Sequence, residues 1–404
     1  MMVNPDDFAD KVTRMQEIEF SLANGSALIK HLRRVGPFKW FPQRLTYQIL
    51  LAVSIAWMPL LLLTAHNGLA LGDKVQIAFL VDLVQHARFL VALPCAIALG
   101  PFVNPRLKAV LNSFLKSGIV TGNDLSRFEG TVSRANTLAR SIFAEVVIVV
   151  LVYVYTSLGL HRNRSASITS WYQPGKGVFI SDTAADWWFL WVSMPLLLFA
   201  WFLWAWRLGV WTYVLFRISR LKLRVVATHP DRAGGLGFIH VGMRRFSVLV
   251  FGISSILCAS IGEEILFNGA ALASYELELA SFFLICLAVI LGPLLLFTPT
   301  LIRAKLQYWG WYGPLASSYV QGFDEKWILQ RGRSGESLLG TPDIQSLADL
   351  SHSYAGIADM RTLLANRNTI GIFAVAYIVP ALPLLTSVIS FRRILSEVFS
   401  LLLK

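Results

Sequence analysis

Long apolar runs alternate with short polar connections along this chain, and the runs set its architecture. Seven of them reach or approach the roughly 20 residues that a helix rising 1.5 Å per residue needs to cross about 30 Å of hydrocarbon. They are Thr46 to Ala65, Ile77 to Val103, Ser141 to Leu160, Trp187 to Trp206, Phe246 to Phe267, Ala280 to Ile302 and Gly371 to Ser390. The expected fold is therefore all-α, a polytopic transmembrane helical bundle of about seven spans. The seventh run is interrupted by Pro380 and Pro383, which fits either a kinked span or a re-entrant hairpin beside six full crossings. Beyond it, Phe391 to Lys404 reads as a short amphipathic helix lying in the interface.

Composition supports the same class. Of 404 residues 55% are hydrophobic and 15% charged, and the mean hydropathy is +0.58, well to the apolar side of a soluble chain. The connections 104–139, 217–245 and 303–370 are basic, and they alternate with connections carrying Asp73, Asp182, Asp186, Glu263, Glu264, Glu276 and Glu278. By the positive-inside tendency, the basic connections and the N-terminal segment 1–45 face the cytoplasm. The net charge of +12 is then a topological signal and an attraction to anionic inner-leaflet lipids. The basic residues are divided among separate loops, so no nucleic-acid partner is expected.

Residues 1–42 are too polar and acidic to serve as a cleavable leader, which leaves the first span as the insertion signal. Cys95, Cys258 and Cys286 all lie inside apolar runs at spacings unlike those of metal sites, so neither disulfides nor a zinc site nor any other cofactor is expected. The run Asp6-Asp7-Phe8-Ala9-Asp10 matches an acidic pattern that can hold magnesium and diphosphate. Standing alone, it is more simply an acidic helix start.

Amphipathic helices are expected in the basic connections. Phe102 to Arg140 reads as a bent pair broken near Thr121-Gly122-Asn123-Asp124, with Asn123 or Asp124 as a cap. Thr341-Pro342-Asp343 is a sharper helix start, offering a cap, a proline suited to the first helical position and an acid at the positive helix end. The apolar spacing that follows gives helix 342–365 one face to bury against the membrane domain, a second copy or a partner protein. Gly310 to Gly340 is rich in Gly, Ser and aromatic residues and reads as a surface loop.

Candidate chemistry is concentrated in two places. The second span carries Asp82, Gln85, His86 and Arg88 within two turns, with Asp82 and His86 one turn apart on one face. Ionisable groups at membrane depth are costly and by default functional, so Asp82, His86 and Arg88 form the candidate pathway or gate, with Glu263 and Glu264 at an acidic outer mouth. The bland alternative is an interfacial helix from Lys74 to Arg88 followed by a span that starts at Phe89 and is short. Glu145 and Arg207 lie near span ends, where snorkelling explains them, and Trp187, Trp188, Trp191, Trp201, Trp204, Trp206 and Trp211 read as interfacial belts.

The second place is the loop Thr228-His229-Pro230-Asp231-Arg232-Ala233-Gly234-Gly235-Leu236-Gly237. Pro230 fixes a turn, Asp231 can accept from neighbouring amides, and Gly234, Gly235 and Gly237 permit unusual backbone geometry. It reads either as a tight hydrogen-bonded corner, or as a hinge or a nest of amides that with Arg232 holds an anion. It has no P-loop lysine and no dinucleotide-fold context.

The run THPDRAGGLGF at Thr228 to Phe238, LLGTPDIQSLADL at Leu338 to Leu350 and FLVDLVQHARFLVALP at Phe79 to Pro94 resemble an uncharacterised family of bacterial multi-span inner-membrane proteins. The resemblance implies the topology and a bacterial inner-membrane location with a cytoplasmic N-terminus, and it implies no activity. The functional expectation is a transporter or channel for a small ion, with no catalytic residue assigned. The alternatives are a membrane enzyme acting on a lipid or polyprenyl-phosphate substrate, or a membrane sensor or assembly partner.

Overall fold

The computed structural model describes residues 19–22, 44–71, 74–158, 169–172, 183–329 and 341–385. The Asp6 to Asp10 run, most of segment 1–45, Asp73, Asp182, residues 330–340 and the interfacial stretch 391–404 lie outside them. The described residues form an all-α bundle, with one isolated bridge, Ile77 to Ser170, as their sole β-type pairing. Among the described residues six helices are long and apolar enough to cross a membrane, or seven if a bent pair is counted as one span.

The first span, α1 (Leu45–His66), buries a single stripe, Ala56, Leu60 and Thr64, spaced by four residues. Its inner proline has a direct structural consequence. Pro59 has no N–H, so the Ile55 carbonyl loses its helical donor. Trp188 replaces that donor with its indole N–H at 3.0 Å, and Ser193 donates to the Ala56 carbonyl at 2.7 Å. The helix α5 (Ala184–Ser219) is thereby fixed to α1.

The second span, α2, runs Leu83–Lys116 and contains a π-helical turn at Ala87–Ala92. It starts six residues later than the apolar run suggests. Residues 77–82 are not helical in the expected way: Ile77 pairs with Ser170, and Phe79–Val81 forms a short 3-10 turn. An apolar run has the same appearance whether it is an extended cover or a span, which is why Ile77 marked the start too early. At its other end α2 continues unbroken into the basic connection. After a turn comes α3 (Leu125–Ala139), which buries Phe128, Val132 and Ala135 and is bent by 43° from α4 (Ile142–Ser157). Asp124 precedes α3, but its carboxylate accepts from the Lys222 N–H at 2.9 Å rather than from the helix it was expected to cap.

The most buried span is α6 (Phe238–Asn268), which lies between α2 and α10 (Arg367–Ile378). Gly252 permits the close crossing. A Cβ there would lie 3.2 Å from the Trp201 ring and 3.3 Å from Cys95 Cβ. Next come α7 (Glu276–Leu291), a 3-10 stretch Gly292–Phe297 and α8 (Thr298–Phe323).

That last helix corrects the expected loop from Gly310, because the described part of that segment is helical through Leu329. Tyr308 and Tyr312 stack one turn apart at 6.1 Å, and the helix packs against α9 (Pro342–Ala358). Packing of this kind outweighs the roughly 1 kcal/mol by which each helical Gly disfavours a helix. Helix α9 does start at Thr341-Pro342-Asp343, but it ends at Ala358, short of residue 365, where Lys305 Nζ donates to the Ala358 and Met360 carbonyls at 2.7 and 2.9 Å. The tryptophans divide likewise: Trp187 and Trp191 are exposed, whereas Trp204 and Trp211 are buried and so belong to the core and not to a belt.

Replacing Gly252 by Leu should overpack the α2–α5–α6 crossing and destabilise the protein by about 1–3 kcal/mol. Gly310→Leu, where a new side chain meets nothing within 4 Å, serves as the control. Thermal unfolding in detergent checks this, and equal midpoints for the two variants would rule the crossing out as tight.

Candidate functional site

The start of α2 lies inside the protein, and its first amides need acceptors that are not water. Two carboxylates from different spans supply them. Asp82, with no exposed surface, accepts from the Gln85 N–H through Oδ1 at 2.9 Å and from the Trp171 indole N–H through Oδ2 at 3.0 Å. Glu263 of α6 is 4% exposed and accepts from the Val84 N–H at 2.9 Å. The positive end of α2 favours negative charge at this point.

The remaining polar groups of the second span are close by. His86 donates through Nδ1 to the Asp82 carbonyl at 2.5 Å, leaving Nε2 as its acceptor, and its ring lies against Trp57 and Phe79. Arg88 donates to Gln85 Oε1 at 3.4 Å, while the buried Gln85 Nε2 has no hydrogen-bond partner. A roof of Phe79, Trp171, Tyr172 and Phe189 closes over the cluster. Both α2 and α5 contain a π-helical turn here, Ala87–Ala92 and Phe189–Ser193, and the Phe89 and Phe189 rings of the two turns are 6.3 Å apart. Such turns recur at functional sites.

The structure thus brings Glu263 to the Asp82, His86 and Arg88 cluster, and it separates Glu263 from Glu264. Glu263 is not the hydrated mouth residue expected at the end of the run. One residue of helix is about 100° of rotation, which turns Glu263 inward while Glu264 accepts from Asn268 near the helix end. A second buried pair was not foreseen. Glu145 on α4 and Arg207 on α5 are both buried and interact electrostatically, and the Arg207 guanidinium lies 4.9 Å from the Trp204 ring centroid. Snorkelling to an interface does not describe either residue. Sequence alone cannot show this, because the pairing depends on the relative rotation of two helices.

At the basic end the Thr228 to Gly237 loop folds around its own acid. Asp231 accepts from the Ala233 and Gly235 N–H groups through Oδ1 at 2.8 and 3.1 Å, and from the Gly237 N–H through Oδ2 at 2.8 Å. His229 Nδ1 is 2.9 Å from Oδ1. Arg232 adopts the left-handed conformation at φ 53°, and its carbonyl accepts from the Arg361 N–H at 2.8 Å. Its guanidinium is 3.5 Å from Asp359 Oδ2 in an exposed pair of the kind that contributes little. Gly234 is required twice over: φ is +64°, and a Cβ would meet the Val225 side chain at 2.2 Å. Thr228 and Pro230 complete the corner. An external anion would have to displace Asp231 to reach these amides.

Partial burial alone would raise the Asp231 pKa, but three backbone donors and His229 outweigh it and hold the carboxyl below its ordinary value. Among the described residues no group of three His, Cys, Asp or Glu side chains is placed to hold a metal ion. No family model, curated protein or solved structure matches the chain.

A carboxylate with a lowered folded-state pKa contributes stability that is complete above the ordinary value of about 3.9 and is lost as the pH falls through the folded value. Asp231→Asn should therefore weaken the fold by about 1–3 kcal/mol at neutral pH. The gap to wild type should close on acidification below about pH 4. Parallel thermal scans across pH test this, and a gap that persists unchanged in acid would exclude the carboxylate as its source.

Proposed function

We propose that this integral membrane protein moves a small cation, in the simplest case a proton, across a bacterial inner membrane with its basic loops in the cytoplasm. The observation that carries the reading is the convergence of Asp82 and Glu263, from two separate spans, on successive amides of one buried helix start. Buried acids at membrane depth are costly and mark ion or proton routes in membrane proteins. A helix that begins inside the bundle, with its positive end facing fixed acids, is a feature shared with transporters.

In this reading Asp82 and Glu263 are the exchangeable acids. His86 Nε2, the ring nitrogen not engaged by the Asp82 carbonyl, is a relay position. Arg88, through Gln85, sets the local charge balance, and Glu264 lies toward the outer opening. The unpartnered Gln85 Nε2 is a donor that a water oxygen would satisfy, which would complete the cluster. The Thr228 to Gly237 corner acts as a rigid anchor at the cytoplasmic end, since its amides are already engaged by Asp231.

The test uses substitutions that remove charge and keep an acceptor. Asp82→Asn and Glu263→Gln each retain one carbonyl oxygen for the helix-start amide while the exchangeable site is lost; Asp82→Asn also gives up the acceptor for the Trp171 indole N–H, so thermal stability is measured alongside. In proteoliposomes under a potassium diffusion potential, wild type should acidify the lumen, and each variant should slow this by about tenfold or more, which is about 1.4 kcal/mol in the barrier. Unaltered flux in variants of wild-type thermal stability would remove Asp82 and Glu263 from the pathway. Wild-type flux no greater than that of empty liposomes, for protons and for alkali cations, would remove transport itself.

A further inference from the structure

We propose that the cleft between the end of α5 and the start of α8 is a binding site for the phosphate-bearing headgroup of an anionic lipid. The cleft has a volume of about 660 Å3, and its rim carries three cations, Arg220, Lys222 and Arg303. Its walls include Leu223, Leu295 and Leu296. Cations and leucines lining one cleft match an amphiphile, its phosphate meeting the cations and its acyl carbons the leucines. None of the three cations has a carboxylate within ion-pair distance among the described residues, so each is available to an anion.

The rim is built before any ligand arrives. Arg220 is stacked over the Phe216 ring at 5.1 Å. The strand-like segment that follows is pinned by two backbone bonds: Lys222 N–H to Asp124 Oδ2 at 2.9 Å, and Arg224 N–H to the Ile119 carbonyl, also at 2.9 Å. The Asp124 carboxylate is itself engaged by Arg127 at 3.4 Å. Arg303 projects from the second turn of α8, directly after the 3-10 break at Gly292–Phe297 where the apolar span α7 ends.

This position selects lipid over a soluble anion. Leu295 at the cleft edge is 56% exposed, and Ile285 and Val289 on the α7 segment leading to it are exposed too. A chain leaving the cleft therefore meets apolar surface, which a free phosphate would not use. Membrane-proximal cations of this kind each add about a fivefold preference for anionic lipid. The inference is independent of the ion pathway, which lies at the opposite end of the bundle.

The experiment is native mass spectrometry of the delipidated full-length protein, titrated with dioctanoyl phosphatidylglycerol or dioctanoyl phosphatidylcholine. Wild type should retain the anionic lipid at least about fivefold more tightly than the zwitterionic one. Arg303→Ala should weaken that preference about fivefold, and Arg220→Ala with Lys222→Ala should weaken it further, by about 25-fold. Arg245→Ala, an exposed cation outside the cleft, should keep it. Equal retention of the two lipids, or equal loss in the Arg245 control, overturns the site. Displacement of the lipid by millimolar inorganic phosphate overturns the lipid assignment and makes the cleft a soluble-anion site. All variants are compared at matched elution volume and thermal midpoint, so a misfolded variant is recognised and replaced by the corresponding Arg→Gln.

Discussion

A helix that begins away from water must find acceptors for its first amides within the protein, and this requirement at the head of α2 organises that end of the bundle. Asp82 serves the Gln85 amide from within the same segment, and Glu263 serves the Val84 amide from another span. Trp171 must then come down from the connection after α4 to bond Asp82, bringing Phe79 and Tyr172 with it as a cover. Without Glu263, α6 would have no polar reason to hold its register against α2. The buried acids thus have both a structural cause and a chemical potential. They satisfy the backbone, and in doing so they place two carboxyl groups from different parts of the chain on adjacent amides.

The same logic of unmet backbone groups recurs elsewhere. Pro59 leaves the Ile55 carbonyl without its helical donor, and Trp188 fills the gap. The α9 carbonyls at its C-terminus are closed by Lys305. At the basic end Asp231 draws in three amides of its own loop, and Arg361 bonds the Asp231 and Arg232 carbonyls, which joins the loop to the segment before α10. In each of these three places a side chain answers backbone groups left open by a proline, a helix end or a glycine-rich turn.

How much of this was legible in the sequence depends on the length scale. The spans were visible because crossing a bilayer needs a long apolar run, and run length survives without knowledge of neighbours. The helix start at Pro342 was visible because a proline in the first turn is a local signal, although the Thr341 side chain makes no capping bond there. The true start of α2 was not, since Ile77 to Val81 is as apolar in an extended cover as in a helix. Helix α8 was hidden by Gly310, Gly313 and Gly322, although the spacing of Tyr308, Tyr312, Leu315 and Tyr319 carried a helical signal that composition obscured. Asp82, His86 and Arg88 were identifiable from their cost in an apolar run. The inward turn of Glu263 and the approach of Glu145 to Arg207 depend on rotations between helices, which no single segment encodes.

The paired π-helical turns in α2 and α5 carry a mechanical implication. A π turn accommodates one more residue than the α turn it replaces, so its relaxation would rotate the helix on one side by about 100° relative to the other. Relaxation of either turn would re-aim the residues that precede it, Leu83–His86 in α2 and Ala184–Trp188 in α5, against the rest of its own helix.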